Sequence, residues 1–342
     1  MHEFIDILQN DVFETFTNPK KRLFWGYLLT ALLISFLWLC LVKQENIKNT
    51  ALIIFSKKIW LSGSSQIDLK CFFVNKILLN LFKPYFVTQI VVATALFELL
   101  HMQSLFKLGM YNDVPFWVAT TLFTITFFLI DDWSRFFVHS ALHKIPFLWE
   151  FHKFHHSAET LTPLTVARTH PIEGMIFMLR SAATQGVTIA IFVFLFGQQI
   201  TLITVLGVNV SVIFFHGLGS NLRHSHIAIR YPVFIEKYLM SPAQHQLHHS
   251  IKQEHFDKNF GVALSIWDRL NGSFMHSKID RFEFGIGSET SEYTKSLSNM
   301  YLSPFKYILE KIVLYFQLKR KKMIGSRVFF KKPIRHDGEQ NA

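Results

Sequence analysis

Two charge-free apolar runs limit what this chain can fold into. Leu23 to Val42 is twenty residues without a charge, flanked by Lys20, Lys21, Arg22 and Lys43. As a helix it rises ~30 Å, the thickness of a bilayer's hydrocarbon. Ser181 to Phe215 is also uncharged and about twice the length of one span. Gly197, Gln198 and Gln199 interrupt it near the middle, so it reads as a tight hairpin of two helices. Weaker runs occur at Pro84–Leu100, limited by Lys83 and Glu98, and at Val114–Ile130, which ends in Asp131 and Asp132. A buried helix of a soluble core explains any one of these runs, but not their number and length. The expectation is an all-α integral membrane protein with four to five transmembrane helices, multi-pass, and no cleaved leader. A composition that is 50% hydrophobic, with 37 Phe, agrees.

Charge gives the sides. The net charge is +11, and a basic tail holds Lys319, Arg320, Lys321, Lys322, Lys331, Lys332 and Arg335. In a chain with membrane spans such residues hold segments at an anionic membrane surface, so nucleic acid is not an expected partner. The loop after the first span carries Lys43, Lys48, Lys57, Lys58, Lys70 and Lys76, whereas the loop before Val114 carries only Lys107. With five spans this puts the N-terminus outside, and residues 131–180, 216–288 and the C-terminus on the cytoplasmic side. Cys40 and Cys71 are the only cysteines, so neither a disulfide framework nor a thiolate metal site is available.

The two polar blocks are rich in histidine. His139 and His143 are four apart. His152, His155 and His156 read H-x-x-H-H, and His245, His248 and His249 repeat the pattern. Two such patterns arise by chance in roughly one chain in a thousand of this histidine content. Residues three or four apart share a helix face, so each set offers two or three imidazoles to a common point. Imidazole suits iron, zinc and copper. Eight histidines exceed what one ion uses, and two ions with open positions fit the count.

Further candidates surround this set. His216, His224 and His226 flank Asn221-Leu222-Arg223, with His224 the first choice to complete the metal shell and His216 and His226 as possible additions. His170, in Arg168-Thr169-His170-Pro171-Ile172-Glu173, is either a ligand or a partner to one. Asp132 lies on one helix face with Arg135 and His139, and either orients an imidazole or pairs with Arg135. Glu150, Glu173 and Asn259 are further supporting candidates. His2, His101, His255, His276 and His336 read as bystanders.

At these residues the chain resembles the fatty acid hydroxylase/sterol desaturase superfamily. The resemblance rests on Asp132…His139-x3-His143, on His152-x2-His155-His156, and on Ser241-Pro242-Ala243-Gln244-His245-x2-His248-His249. His170-Pro171-x-Glu173, Asn259-Phe260-Gly261 and Trp267-Asp268-Arg269-Leu270 flank them. It spans about residues 115–275. The resemblance implies a centre of two iron ions, with zinc possible in isolated protein. It also implies the histidines of the three motifs as ligands, and use of O2 to hydroxylate or desaturate a membrane lipid. No nicotinamide, flavin or haem motif is visible, so electrons come from an external ferredoxin- or cytochrome-type donor. The domain division that follows is 1–110 as an N-terminal membrane region, 111–285 as the catalytic domain and 286–342 as a basic tail, in a bacterial inner membrane or an endoplasmic reticulum membrane. The alternative is a membrane metal-binding or transport protein using the same histidines. Transport ligands sit near the midplane of the spans, whereas these lie at or beyond span ends.

Overall fold

Helices account for the regular structure of this chain in the computed structural model, which describes residues 2–82, 87–200, 210–278 and 283–328. Among the described residues there are no strands, only isolated bridges between Leu239 and Leu264 and between Ser250 and Phe284. Helix α1 (His2–Thr17) precedes α2 (Trp25–Val42), which coincides with the first charge-free run and closes in a π-turn over Trp38–Val42. Its two faces separate at steps of four. Tyr27, Ala31, Ser35 and Leu39 are buried, while Leu29, Leu33, Leu37 and Leu41 are exposed. Exposed leucine along one side of a span-length helix is a surface for lipid.

After α3 (Ile47–Ile54) and α4 (Gly63–Phe82), the Pro84–Leu100 run appears as α5 (Gln89–Met102), capped by Thr88; residues 83–86 lie outside the described set. Its 14 residues rise only ~21 Å, less than the hydrocarbon thickness. Helix α6 (Phe116–Lys144) has 29 residues and rises ~43 Å, more than a bilayer needs. The surplus is the polar end that carries His139 and His143. Helix α7 (Pro146–His156) follows after a single connecting residue, with Pro146 in its first turn where the missing N–H costs nothing.

Helix α8 (Pro171–Phe196) packs along both α5 and α6. Gly186 permits the first contact, because a Cβ there would meet Val92 Cβ at 2.6 Å and the Gln89 carbonyl at 2.8 Å. Helix α8 ends at Gly197, whose φ of 52° favours glycine. Most of the expected return leg, residues 201–209, lies outside the described residues; helix resumes at α9 (Val210–Gly217). Among the described residues, three helices are therefore long and apolar enough to cross a membrane: α2, α6 and α8.

The short helices α10 (Pro242–His248) and α11 (Ile266–Asn271) lie in the second histidine block, and α12 (Leu297–Val328) closes the described chain. The N-terminal region packs against the histidine blocks. Asp68 pairs with Arg168 at 2.8 Å, both side chains wholly buried, and the Asn75 side chain donates to the carbonyls of Ala167 and Thr169. Of the basic tail, Lys331, Lys332 and Arg335 lie outside the described residues.

Candidate metal centre

Four segments meet to form the centre. The end of α6 supplies His139 and His143, and α7 supplies His152, His155 and His156. A 3-10 turn, Ser220–His224, supplies His224, while α10 and its C-terminal cap supply His245, His248 and His249. Local chemistry fixes the last of these. Ser241 accepts from the Gln244 N–H while the Gln244 side chain accepts from the Ser241 N–H, a reciprocal cap ahead of Pro242.

The nine histidines divide into two groups. His139, His143, His152, His156 and His248 form one, and His155, His224, His245 and His249 the other; within each group the ligand atoms lie within 4.8 Å of one another. The groups adjoin, with the rings of His156 and His249 stacked at 4.5 Å between centroids. The sequence reading expects each H-x-x-H-H to serve a common point, and here the arrangement differs. Every i, i+4 pair (His139/His143, His152/His156, His245/His249) stays in one group, while the histidine one residue earlier in the motif, His155 or His248, goes to the other. Adjacent helical residues point ~100° apart, and this separates them.

Hydrogen bonds orient the rings. In the five-histidine group, His139 Nδ1 donates to the Phe260 carbonyl at 2.7 Å, His248 Nδ1 to the Lys258 carbonyl at 2.7 Å and His152 Nδ1 to Glu173 at 2.9 Å. The Asp257 carboxylate lies 3.7 Å from His143 Nδ1. An Nδ1 that donates leaves Nε2 with its lone pair. The Nε2 atoms of His143, His152, His156 and His248 are buried and have no hydrogen-bond partner. Orphaned buried acceptors facing one another are what a metal position requires. Burial lowers the pKa of His152 to about 3 and of His155 to about 4. Those of His156, His224, His245, His248 and His249 fall well below the usual value, through burial first and then neighbouring positive charge. These rings are neutral at pH 7, the form that binds metal.

The remaining sequence candidates divide. Glu173 is buried against His152, as a carboxylate that holds a ligand ring would be. Asp132 does neither of the two things expected of it. It accepts from the Ala263 and Leu264 N–H groups and from Trp267 Nε1, while Arg135 pairs with Asp131 instead. Asp132 thus ties the 259–267 loop to α6, and that loop carries the Phe260 carbonyl. Asn259 braces the same loop, donating to the Gln244 carbonyl and accepting from the Met275 N–H. Glu150 faces Lys153 and Lys311, away from the imidazoles.

His170, His216 and His226 lie outside both groups. His170 Nδ1 accepts from the Ile172 N–H and its Nε2 donates to the Tyr301 carbonyl, so both nitrogens are engaged. His216 bonds Ser220 Oγ, and His226 bonds the Ile53 carbonyl. Sequence reasoning missed two arginines: Arg22 contacts His224 Nδ1 at 3.1 Å and Arg223 contacts His245 Nδ1 at 2.9 Å. Arg22 stands 202 positions from its histidine, a separation that no local pattern reveals.

A cavity of about 360 Å³ reaches the five-histidine group, ending on His143, His156 and His248. Trp149, Ile251, Phe256 and Ile286 give it apolar walls, and Lys153, Asp257 and Glu289 line it with charge.

Residues 124–273 match the family model described as fatty acid hydroxylase. The lathosterol oxidase of Rattus norvegicus is 28% identical over 160 residues, 47% of each chain. A Delta(7)-sterol 5(6)-desaturase of Eremothecium gossypii is 24% identical over 203 residues, 59% of this chain and 51% of that one. The alkylglycerol monooxygenase of Danio rerio is 27% identical over 147 residues, 43% of this chain and 29% of the relative. The matches to the first two relatives span about half of each relative's length. No solved structure matches the chain.

Proposed function

We propose that this chain, whose residues 124–273 match the fatty acid hydroxylase family model and resemble sterol desaturases, belongs to the fatty acid hydroxylase/sterol desaturase superfamily and is a membrane-bound oxidoreductase that hydroxylates or desaturates a lipid with O2 and external electrons. The observation that carries this reading is the gathering of nine histidines into two adjoining groups, in which four inward-facing Nε2 atoms lack a partner.

The donor set fits two iron ions. His139, His143, His152, His156 and His248 would hold one, and His155, His224, His245 and His249 the other. Bound there, iron supplies the redox change and the open coordination positions that activation of O2 against a C–H bond needs; all-imidazole donors also accept zinc, which supplies neither electrons nor O2 activation.

The chain's own residues do the rest. Glu173 and the Phe260 and Lys258 carbonyls hold three rings with Nδ1 outward and Nε2 inward. The 259–267 loop, anchored by Asp132 and Asn259, fixes the Phe260 carbonyl that holds the His139 ring. The 360 Å³ cavity receives the reacting part of the substrate: its aromatic and aliphatic walls suit an apolar chain or ring, and Lys153, Asp257 and Glu289 suit a polar head. His139 and His143 lie on the polar end of α6, beyond its apolar stretch, so in this reading a lipid approaches the centre from the membrane edge. Ligands at span ends also favour an enzyme over a transporter, whose sites lie near the midplane. We place the centre on the cytoplasmic side, of a bacterial inner membrane or an endoplasmic reticulum membrane, where a ferredoxin- or cytochrome-type donor reaches it.

The test is 18O2 labelling of the purified full chain in lipid with a reduced donor, read by mass spectrometry. A labelled product alcohol supports hydroxylation, and a new double bond without label supports desaturation. A lipid product formed equally well under anaerobiosis overturns the reading.

A further inference from the structure

The four-histidine group has neighbours unlike those of the five-histidine group. Beyond the first group's rings stand acceptors: two carbonyls, Glu173 and, at 3.7 Å, Asp257. Beyond two of the second group's rings stand guanidinium groups. Arg22 Nη2 contacts His224 Nδ1 and also donates to the Ser220 carbonyl, while its Nε donates to Asn221 Oδ1. Arg223 Nη2 contacts His245 Nδ1 and donates to the Gly261 carbonyl. A guanidinium has donors only, so Nδ1 of His224 and of His245 must be the accepting nitrogen. The inward nitrogens differ too. His155 and His245 Nε2 each lie 3.0 Å from His224 Nε2, and His249 Nε2 lies 3.3 Å from His245 Nε2, so they already partner one another.

We propose that Arg22 and Arg223 are positioning residues that make the His155/His224/His245/His249 position the weaker-held of two metal positions, and that the segment before α2 thereby sets its occupancy. An acceptor at Nδ1 raises the donor strength of an imidazole. A cation donating there leaves the neutral ring's proton on Nε2, so a metal ion must displace that proton to bind, and the cation also repels the ion across the ring. Both arginines carry their charge at neutral pH, because a guanidinium is not deprotonated in a protein. Among the described residues neither forms a close ion pair. The charges that act on Arg22 are those of Arg223 and Arg135. Asp132 and Asp268, which attract Arg223, are committed to backbone N–H groups of the 259–268 segment. Arg22 is further locked in place because the Asn221 side chain donates back to its carbonyl. It precedes the family match at residue 124 by a hundred positions, so this control belongs to the chain's own N-terminal region.

The proposal rests on the two-metal reading, and the experiment separates their failures. The purified full chain is loaded anaerobically with 57Fe(II), titrated with a chelator, and followed by iron count and Mössbauer spectroscopy. Wild type should show two distinct iron signals and release iron in two phases. Arg22→Gln keeps an N–H donor but loses the charge, and should slow the early phase about tenfold while leaving the late phase unchanged. Arg22→Lys keeps the charge and should leave the early phase within about twofold of wild type. Two ions lost in one phase from wild type overturn the proposal, with no variant needed. So does an Arg22→Gln protein whose early phase is unchanged, or whose two phases shift alike. A wild-type chain that binds no metal overturns the two-metal reading along with it.

Discussion

The two histidine groups are drawn from the same words and set in opposite surroundings. HKFHH gives His152 and His156 to the five-histidine group and His155 to the other; HQLHH gives His248 to the first and His245 and His249 to the second. Each motif therefore spans both positions, and neither position belongs to one motif. The surroundings come from elsewhere. Carbonyls of the 258–260 loop and Glu173 of α8 face the first group; Arg22 and Arg223 face two rings of the second, whose His155 alone donates to a carbonyl, that of Arg168. Repetition in sequence gives the number of imidazoles, while the residues behind the rings decide how alike two metal positions are.

The hardest test of that division is to remove one histidine from each side. His143→Ala should lower affinity for the ion of the five-histidine group by more than about 100-fold, since even partners behind the ligands contribute 10–100-fold. It should leave the other ion in place, and His249→Ala should do the reverse. Metal counts near one per chain for both variants would sustain two separable positions. Loss of both ions from either variant would mean one cooperative cluster and would break the comparison.

Next in size is the carboxylate on the acceptor side. Glu173→Gln keeps the volume but replaces the carboxyl partner of His152 Nδ1. Metal affinity of the five-histidine group should fall roughly 10-fold, with chelator release from the four-histidine group unchanged. An equal effect at both positions would show that Glu173 acts on the fold and not on its own ring.

Asp132 sharpens the comparison through the backbone. Its carboxylate satisfies two N–H groups and the Trp267 indole. Asp132→Ala leaves those donors without an acceptor, at a cost of about 3 kcal/mol, and loosens the loop whose carbonyls face the five-histidine group. Thermal unfolding should occur several degrees lower, and the ion of that group should be the first affected. Unchanged stability would remove Asp132 from the account.

These predictions mark where the sequence was legible. The charge-free run at Leu23–Val42 became α2, and the histidine motifs stood out because helical spacing leaves a regular trace. The Pro84–Leu100 run was harder to judge: its described helix, Gln89–Met102, is too short to span because Thr88 caps it late and Gln103 ends it. Asp132 misled because its nearest sequence partners, Arg135 and His139, are not its spatial ones, which lie 131 to 135 positions away. Arg22 was invisible for the same reason. Flanking a span is enough to account for a basic residue, and nothing near it points to His224.

His170 gives the smallest expected effect and the finest discrimination. By sequence it is either a ligand or a partner to one, lying in a histidine block three residues before Glu173. By structure it is a helix cap. Its Nδ1 accepts the Ile172 N–H at the start of α8 and its Nε2 donates to the Tyr301 carbonyl, which ties α12 to α8. A ring with both nitrogens engaged has no lone pair to give a metal. His170→Ala should therefore retain both ions and their two-phase release. Stability should fall by about 1–2 kcal/mol, the sum of a lost cap and a lost hydrogen bond. His170→Asn restores the cap but does not reach Tyr301, and should recover about half of that loss. Loss of one ion in His170→Ala with unchanged unfolding would show that this histidine turns toward the centre when metal enters, and the boundary between ligand and support would have to be redrawn.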